Sequence, residues 1–420
     1  MRARVSLLLA WALTSAPVIS WAHSSEPQLT SISFSPYAAE SLPWITDHMG
    51  VFVSDEDQWR WVCAEALSPN DPNLVVDALS AAPTEVDGSR WLVSTTGGLR
   101  LMSADGCEIE SITSGPLDGH QPGVLSPHPE RPGEVLTVTT SLGRPNDVFR
   151  TTDGGETWQA AGLSINGRVT GLARSPSAPD RIYVSSADGV MTSADGGMTW
   201  TTQPLLGPFW GVPQSALVVA AVDPANPDRV FALLERFPDG YVLRSDDGGA
   251  TWTGTLTILD DRPTALAISA DGALLVSTAF SGLRRSEDAG ETWSTLESPT
   301  LLYCLVAGTS GFWGCSGADW QVARTQSGSS WAPQGDYATL AVPVTCPEDS
   351  WTSRRCAALT QPDMGVLPDA GSIQDAGLMT DAGADVDAAP TSGGGCTQPS
   401  GAGHASWLFL LMVYCRTRRV

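Results

Sequence analysis

One eight-residue turn sequence occurs four times in this chain and constrains its fold more than any other feature. The pattern is Ser/Thr-x-Asp-x-Gly-x-Thr-Trp, and its copies begin at Thr151, Ser193, Ser245 and Ser286. Self-similarity with a period of about 40 to 50 residues is typical of folds built by repeating one supersecondary unit. The pattern therefore predicts a series of similar small units, one for each copy of the turn.

The residue types of this octet suit a tight turn between two strands. The Asp carboxylate can accept hydrogen bonds from backbone N–H groups of its own turn. The Gly can adopt a positive φ, and the Trp can bury a large apolar surface between neighbouring units. We therefore interpret the repeated positions as structural. They are Asp153, Gly155, Trp158, Asp195, Gly197, Trp200, Asp247, Gly249, Trp252, Asp288, Gly290 and Trp293.

The octet closely resembles the Asp-box, also called the BNR repeat. Families that carry this box include sialidases, sortilin-type receptors, xyloglucan-degrading hydrolases and the photosystem II assembly factor family. In those proteins the box lies between the third and fourth strands of a propeller blade, on the face opposite most active sites. The resemblance implies a β-propeller. It implies no particular reaction, because these families share the box and not the activity.

Three weaker copies extend the repeat to seven units. Residues 324–331 keep the Gly and Trp of the box but have Gln326 at the Asp position. Residues 103–106 begin like a box, and residues 54–61 keep only its two ends. We predict an all-β fold, a single propeller of seven four-stranded blades, with six or eight blades as alternatives. The Trp position of the box then falls at residues 61, 110, 158, 200, 252, 293 and 331.

Short apolar runs between the boxes favour four strands in each blade. Before the second box, residues 169–176, 181–186 and 189–192 alternate with turns rich in Pro, Asp and Gly. Several inner runs are continuously apolar, as expected for strands buried on both faces. The pattern leaves open how the ring closes, and residues 338–344 offer an extra strand near its end.

The beginning of the sequence predicts export. Within residues 1–22, Arg2 and Arg4 precede an apolar run, and Ser20-Trp21-Ala22 places small residues where a signal peptidase cuts. The propeller is then predicted to occupy residues 23–357.

The composition changes after the propeller. Residues 358–392 repeat Asp-Ala-Gly, contain no aromatic residue and predict a disordered linker. Residues 393–420 contain a Gly-rich stretch, Cys396, a short apolar run and a terminal Arg cluster. The apolar run is too short to span a bilayer, which takes about 20 residues. This segment resembles the C-terminal sorting tail of myxobacterial surface proteins, which implies processing near Cys396 and a lipid anchor on that residue.

The remaining cysteines form an even set, as expected in an exported chain with disulfides. Cys304 and Cys315 flank a predicted hairpin and are expected to pair across it. Cys346 and Cys356 are expected to close a short loop, and Cys63 and Cys107 to join the first two blades. Zinc is disfavoured, because there is no C-x-x-C and no His at ligand spacing.

Charge and composition limit the partners. The chain has 23 basic and 46 acidic residues and a formal net charge of −23. A surface this acidic repels phosphate backbones, so nucleic acid is excluded as a partner. No phosphate-binding loop or zinc-protease motif is present, and we predict no metal and no cofactor. We expect a monomer that contacts a membrane only through its C-terminal anchor.

Catalytic residues cannot be assigned from the sequence. Arg236-Phe237-Pro238, the nearest string to the Arg-Ile-Pro motif of sialidases, lies between the second and third boxes instead of ahead of the first. Related xyloglucan hydrolases build their site between two propellers, and this chain has one. Other glycosidases need two carboxylates, for which Asp260-Asp261, Glu235 and Asp47 are the candidates near predicted loops. Solvated loop charge is the simpler interpretation of each.

A binding role fits the sequence better than catalysis. The longest connection on the face away from the boxes covers residues 205–215 and carries Phe209 and Trp210 among Gly and Pro. Exposed aromatic side chains on such loops stack on sugars or anchor a partner protein. We predict a surface-tethered or secreted binding or scaffold module for a glycan or an extracellular protein. A glycoside hydrolase and an envelope assembly factor are the alternatives.

Overall fold

Twenty-eight strands pair into seven antiparallel four-stranded sheets, each made of four consecutive strands. In the computed structural model these elements come from residues 29–37, 42–47, 49–55, 58–68, 78–112, 115–141, 143–187, 189–204, 216–296, 302–316, 321–340 and 342–356, which are the residues described here. They all lie in the first of two units of the chain, Met1–Leu367 and Pro368–Val420. The seven-bladed all-β propeller predicted from the repeats is confirmed.

The first three blades precede or contain the first box. Blade 1 is β1 (Leu29–Ser33), β2 (Trp44–Asp47), β3 (Gly50–Asp55) and β4 (Gln58–Cys63). Blade 2 is β5 (Ala78–Pro83), β6 (Arg90–Thr95), β7 (Gly98–Ser103) and β8 (Ile109–Ile112). Blade 3 is β9 (Pro122–Pro127), β10 (Val135–Thr139), β11 (Val148–Thr151) and β12 (Gln159–Ala160).

The other four blades complete the ring. Blade 4 is β13 (Val169–Arg174), β14 (Ile182–Ser186), β15 (Gly189–Ser193) and β16 (Thr201–Gln203). Blade 5 is β17 (Ala216–Val222), β18 (Val230–Arg236), β19 (Asp239–Ser245) and β20 (Thr253–Ile258). Blade 6 is β21 (Pro263–Ile268), β22 (Leu274–Thr278), β23 (Leu283–Ser286) and β24 (Ser294–Leu296). Blade 7 is β25 (Leu302–Gly308), β26 (Gly311–Ser316), β27 (Val322–Thr325) and β28 (Ala332–Gly335).

Apolar packing between blades forms the core. The first strands of neighbouring blades pack against one another around the ring, and second strands such as β10, β14 and β22 are buried along their whole length. Trp44 of blade 1 stacks on Trp91 of blade 2, with ring centroids 4.1 Å apart. Trp313 of blade 7 packs edge-on against Trp59 and Phe34 of blade 1. Blades 7 and 1 are thus joined by aromatic contacts, without exchange of a strand.

Residues 342–356, here called the C-terminal strap, run along the outer side of blades 1 and 2. The amide of Trp61 in β4 donates to the Val342 carbonyl at 2.7 Å, and the Val344 amide donates to the Trp61 carbonyl at 3.0 Å. The sequence suggests an extra strand within residues 338–344. In its place the described residues form the short helix α1 (Tyr337–Leu340), followed by a single parallel bridge between Pro343 and Trp61. The strap ends in the helix α2 (Trp351–Cys356), whose Thr352 donates to the Gly106 carbonyl.

The strap changes the disulfide pairing expected from the sequence. Cys304 and Cys315 pair across the β25–β26 hairpin as predicted. The other two predicted bridges are wrong: Cys63 pairs with Cys356, and Cys107 pairs with Cys346. The reason is that the strap folds back over the first two blades. This places each of its cysteines beside a cysteine that is more than 200 residues earlier in the chain.

The turns that replace the box in blades 1 and 2 are shorter than the sequence comparison predicts. In the four full boxes the Ser/Thr and the Trp lie opposite each other at the ends of two paired strands. In blade 1 the residue opposite Ser54 is Trp59, not Trp61, and in blade 2 Glu108 lies opposite Ser103. Each turn is thus two residues shorter than a box, and the register assigned to positions 61 and 110 is wrong.

The predicted signal (1–22), linker (358–392) and tail (393–420) lie outside the described residues. So do Phe209 and Trp210 of the predicted binding loop, and Cys396. Among the residues that are described, none belongs to a helix long and apolar enough to cross a membrane.

Candidate functional site

The four Asp-boxes share one hydrogen-bond pattern, and the second box shows it completely. Ser193 Oγ donates to Asp195 Oδ1 at 2.8 Å and accepts the Gly197 amide at 2.9 Å. The amide and hydroxyl of Thr199 donate to the two oxygens of Asp195 at 2.8 and 2.6 Å. The indole N–H of Trp200 donates to the Gly197 carbonyl at 3.0 Å. Both carboxylate oxygens are therefore engaged inside the turn.

The box carboxyl groups are strong acids as a result. The hydrogen bonds from Thr199 lower the pKa of Asp195 to about 2, and those from Thr292 lower the pKa of Asp288 to about 2. The pKa values of Asp153 and Asp247 are also lowered, because the hydrogen bonds in their turns outweigh the opposing effect of burial. Groups held this firmly in the ionised form are poor proton donors, which favours a structural role.

We expect the contribution of a box Asp to stability to disappear in strong acid. The folded pKa of Asp195, about 2, lies below the ordinary value of 3.8, so its stabilisation is complete above pH 3.8 and is lost as the pH falls through 2. Asp195→Asn resembles the protonated carboxyl. Its melting temperature should lie below that of the wild type at pH 6, and the gap should narrow below pH 3.8 and close below about pH 2. A gap independent of pH would contradict this account.

Each box also contacts the preceding blade through its Gly. A Cβ on Gly155 (φ +102°) would lie 2.8 Å from Leu92 of blade 2, and one on Gly197 would lie 3.5 Å from Leu136 of blade 3. Gly249 and Gly328 approach Val190 and Leu275 in the same way. The repeated Gly is therefore needed for its backbone conformation and for close packing between blades.

Gly155→Ala is expected to lower the free energy of unfolding by about 1 to 2 kcal/mol more than Gly162→Ala. Both residues have a positive φ, +102° and +76°, but a Cβ on Gly162 would meet no atom within 4 Å. Chemical denaturation of the two variants separates the effect of interblade packing from that of backbone strain. Equal losses would show that the contact with Leu92 contributes nothing.

A cavity of about 450 Å³ lies between blades 2 and 3 at the strand ends opposite the boxes. It is bounded by the β6–β7 turn with the start of β7 and by the connection from β8 to β9. The lining is Thr96, Gly97, Gly98, Leu99, Arg100, Ser111, Ile112, Leu117, Asp118, Gly119, His120, Gln121, Pro122 and Ser141. A volume of this size lies within the range of small-molecule sites, about 300 to 1,000 Å³.

Arg100, on β7, is the buried cation of this cavity, with 4% of the residue exposed. Its Nε, Nη1 and Nη2 donate to the carbonyl oxygens of Leu67, Leu99 and Gly97 at 2.6, 2.8 and 3.2 Å. None of the described residues brings a carboxylate within ion-pair distance of it. Burial alone lowers the pKa of Arg100 to about 10, so the side chain remains charged at neutral pH.

His120 separates this cavity from a second one of about 400 Å³. Its ring packs against Phe149 with centroids 5.3 Å apart. Burial, together with the charge of Arg144, lowers the pKa of His120, so the ring is neutral at pH 7. Arg144 lines the second cavity and donates to the Asp118 carbonyl at 3.3 Å. The two cavities thus form adjoining compartments, each with one arginine in its wall.

A charged network lies at the opposite end of the strands, between blades 3 and 4. The Glu134 side chain is 3% exposed and accepts hydrogen bonds from Arg131 and Arg150, both at 2.8 Å. Arg174, itself buried, lies 3.8 Å from the same carboxylate. Arg131 also pairs with Asp180 of the next blade. Burial raises the pKa of Glu134, but the hydrogen bonds from the two arginines outweigh it and hold the pKa below 4.5.

Three members of this region, His128, Glu134 and Asp180, have ligand atoms within 4.8 Å of one another. The hydrogen bonds oppose a metal site there. His128 Nδ1 accepts the amide N–H groups of Glu130 and Arg131, both at 3.1 Å, so the proton of the neutral ring is on Nε2, the nitrogen that faces Asp180. A metal would need that nitrogen unprotonated, and Glu134 is already bonded to arginines.

The carboxylates considered for catalysis have structural partners. Asp261 is 4% exposed, and its Oδ2 accepts the amides of Phe280 and Ser281 at 3.1 and 2.8 Å. Glu235 faces Arg262 at 3.7 Å. Asp47 is fully buried, with its Oδ1 accepting the Met49 amide. The interpretation as solvated loop charge is therefore wrong for Asp261 and Asp47, which are buried and hydrogen-bonded, and it fits Glu235, whose side chain is 52% exposed.

Sequence reasoning missed Arg100 and His120. The one local sign in the sequence was an arginine inside an apolar run, Leu99-Arg100-Leu101-Met102. In the structure this run is the buried part of β7. Nothing local indicates that the strand packs against a connection more than ten residues away.

Fold and geometry define this protein as a seven-bladed β-propeller with Asp-box turns on one face and a cation-lined cavity near the other. Comparison with known proteins agrees with that class. Residues 149–160 match the BNR/Asp-box repeat, which covers the first box with the short strands on either side of it. No curated protein matches the chain.

Several solved structures share the fold. The extracellular domain of a one-component system from B. thetaiotaomicron is 12% identical, with a TM-score of 0.52 over 71% of this chain and 38% of that one. YCF48 bound to D1 peptide is 15% identical, with a TM-score of 0.52 over 69% and 89% of the two chains. YCF48 from Cyanidioschyzon merolae is 15% identical, with a TM-score of 0.52 over 70% and 94%. The chain spans well under half of the bacterial extracellular domain. Likeness at these identities shows the fold alone.

Proposed function

We propose that this protein is an exported propeller that acts as a binding or scaffold module for a glycan or an extracellular protein. The observation that carries the proposal is the cavity beside Arg100. It offers a buried cation and several neutral polar groups, and Asp118 is the one carboxylate among the described residues that line it. Glycoside hydrolysis ordinarily uses two carboxylates about 5 to 10 Å apart, whereas the described residues of this wall supply one, an arrangement that suits holding a ligand.

Three features support export. Disulfides persist in oxidising compartments, and two of the three here join distant parts of the chain. The first 22 residues have the order of a secretory signal. One structure with the same fold is an extracellular domain. In this proposal the processed tail carries a lipid on Cys396 and tethers a monomeric propeller to the cell surface, and nucleic acid is not a partner.

An assembly factor for envelope proteins is the second candidate. Two YCF48 structures cover about nine-tenths of their own length in the comparison, and one of them holds a D1 peptide. In this candidate the partner would be an extended segment of an envelope protein.

The test is product analysis together with binding on one protein sample. Residues 23–360 are incubated with sialosides and with plant, fungal and bacterial polysaccharides, and mass spectrometry looks for new oligosaccharide ends. We expect retention of one class of glycan, or of a cell-surface protein in a pull-down, and no products. New ends that disappear in Asp118→Asn would overturn the binding proposal and identify a hydrolase. Products unaffected by Asp118→Asn would place a catalytic site elsewhere on the ring.

A further inference from the structure

We propose that the cavity between blades 2 and 3 binds an acidic sugar unit through its carboxylate, with Arg100 as the anchoring cation. This inference rests on the proposed binding function and names the class of ligand. Four observations carry it: the burial of Arg100, its hydrogen-bond partners, a polar lining in which Asp118 is the one carboxylate among the described residues, and the second arginine nearby.

The first argument is the uncompensated charge of Arg100. A buried ion is costly unless it is paired, and an opposite charge within reach recovers part of that cost. The comparison within the same protein is Arg174, whose side chain is 6% exposed and lies 3.8 Å from the Glu134 carboxylate. Arg100 is 4% exposed as a whole residue and is bonded only to carbonyl oxygens among the described residues. An anionic ligand would supply the missing partner.

The second argument is geometric. A guanidinium has five N–H donors in a planar fork, and the three carbonyl bonds of Arg100 occupy one donor on each nitrogen. One donor on each terminal nitrogen remains. The three carbonyls fix the plane of the group before a ligand arrives, so little side-chain freedom would be lost on binding. A carboxylate carries the single negative charge that matches one arginine.

The rest of the lining favours a sugar ring over a peptide. Thr96, Ser111, Gln121 and Ser141 bring neutral hydroxyl and amide groups to the wall, which suit the hydroxyls of a sugar. Leu117 and the strand-end Ile112 supply an apolar patch for the C–H face of a ring.

The adjoining cavity extends the site. It lies on the other side of His120, and its wall contains Arg144 together with Asp147, whose carboxylate accepts the amides of Val148, Gly162 and Leu163. A chain of acidic sugars could therefore place one carboxylate at Arg100 and a later one at the more exposed Arg144. We infer that an oligomer binds more tightly than a single unit.

The test measures binding of trigalacturonate to residues 23–360 by calorimetry at pH 7. The matched probe is the fully methyl-esterified trigalacturonate, which keeps the sugar rings and removes the charge. We expect the ester to bind at least tenfold more weakly. Arg100→Gln should lose at least tenfold in affinity for the acid and should leave the weak binding of the ester unchanged.

A second variant covers the case in which Arg100→Gln does not fold. Ser111→Trp fills the cavity from the outer strand of blade 2 and leaves Arg100 with its carbonyl partners. Ser294→Trp, at an exposed position on the outer strand of blade 6, is the control. We expect Ser111→Trp to abolish binding and Ser294→Trp to leave it within twofold of the wild type.

Three outcomes would overturn the inference. They are equal affinity for acid and ester, no binding of trigalacturonate at millimolar concentration, and tighter binding of the peptide amide acetyl-Glu-Glu-Glu than of the sugar acid. In each case retention of a neutral glycan or of a surface protein by the same sample would leave the proposed binding function in place. Failure of both experiments would reject the binding function as well.

Discussion

Removing both disulfides of the C-terminal strap is expected to lower the free energy of unfolding by about 4 kcal/mol or more. The variant replaces Cys63, Cys107, Cys346 and Cys356 by Ala. The two bridges link residues separated by 293 and 239 positions, and closing loops of that length removes much of the conformational freedom of the unfolded chain. Chemical denaturation measures the loss, and a variant that is unfolded without denaturant satisfies the prediction.

The control is the third bridge. Cys304 and Cys315 are separated by 11 residues and lie opposite each other in strands that are already paired. Replacing both by Ala removes a short loop, so we expect a clearly smaller loss than for the strap. A loss as large as that of the strap variant would mean that the length of the closed loop does not determine how much a bridge stabilises this domain. Limited proteolysis should also cut near the strap only in the strap variant.

Glu134→Gln is expected to destabilise the fold by about 3 to 5 kcal/mol, because it leaves three arginines around a neutral buried side chain. The Glu134 carboxylate is 3% exposed and accepts hydrogen bonds from Arg131 and Arg150, with Arg174 close by. Glu291→Gln is the matched control: its side chain is 65% exposed and pairs with Arg244 at 2.7 Å. An exposed pair of this kind contributes about 1 kcal/mol or less.

The pH dependence of the same group checks its cause. The pKa of Glu134 is held below its ordinary value of 4.5, so its stabilisation is complete above pH 4.5 and is lost as the pH falls through the lowered folded value. The stability difference between the wild type and Glu134→Gln should therefore shrink in acid. If Glu291→Gln were as destabilising as Glu134→Gln, burial of the network would not be the reason.

The fold could be predicted from the four boxes because the box is a local structure. Ser193, Asp195, Gly197 and Thr199 bond to one another within seven residues, so their spacing alone determines the turn and the two strands that it joins. Such turns mark blades 3 to 6, and the weaker copy marks blade 7, so five of the seven four-stranded units are identified by a turn of this kind. The turn of the weak copy is one residue shorter but equally local: Thr325 Oγ1 accepts the Gly328 amide at 2.9 Å, across three residues instead of the four of a full box.

The first two blades could not be placed as well, because their turns depend on distant residues. Cys107 and Gly106 contact the strap at Cys346 and Thr352, about 240 positions later. A covalent and hydrogen-bonded cover from the end of the domain adds to the bonds that the blade 2 turn makes within itself, where Asp105 accepts the Ser103 hydroxyl and the Cys107 amide. No spacing within residues 54–61 or 103–110 contains that information.

The candidate site was hidden for a related reason. Asp261 and Glu235 are candidates in the sequence because they are acidic and lie near loops. In the structure Asp261 accepts the Phe280 amide, and Glu235 faces Arg262. In the sequence Arg100 does not stand out from other strand residues. Only the folded protein shows its side chain bonded to the carbonyls of Leu67 and Gly97. Its lack of a carboxylate partner among the described residues is a property of the tertiary structure.

The strap also determines how the domain would respond to mechanical load. A pull on the chain beyond residue 356 enters the ring at Cys63 in β4, and the bond between Cys346 and Cys107 carries the same force into blade 2. The force therefore does not act on the outer strand of blade 7, which would otherwise be the first strand to detach. If a ligand held between blades 2 and 3 is the other point of attachment, the tension crosses only the first blades, and blades 4 to 7 remain unloaded.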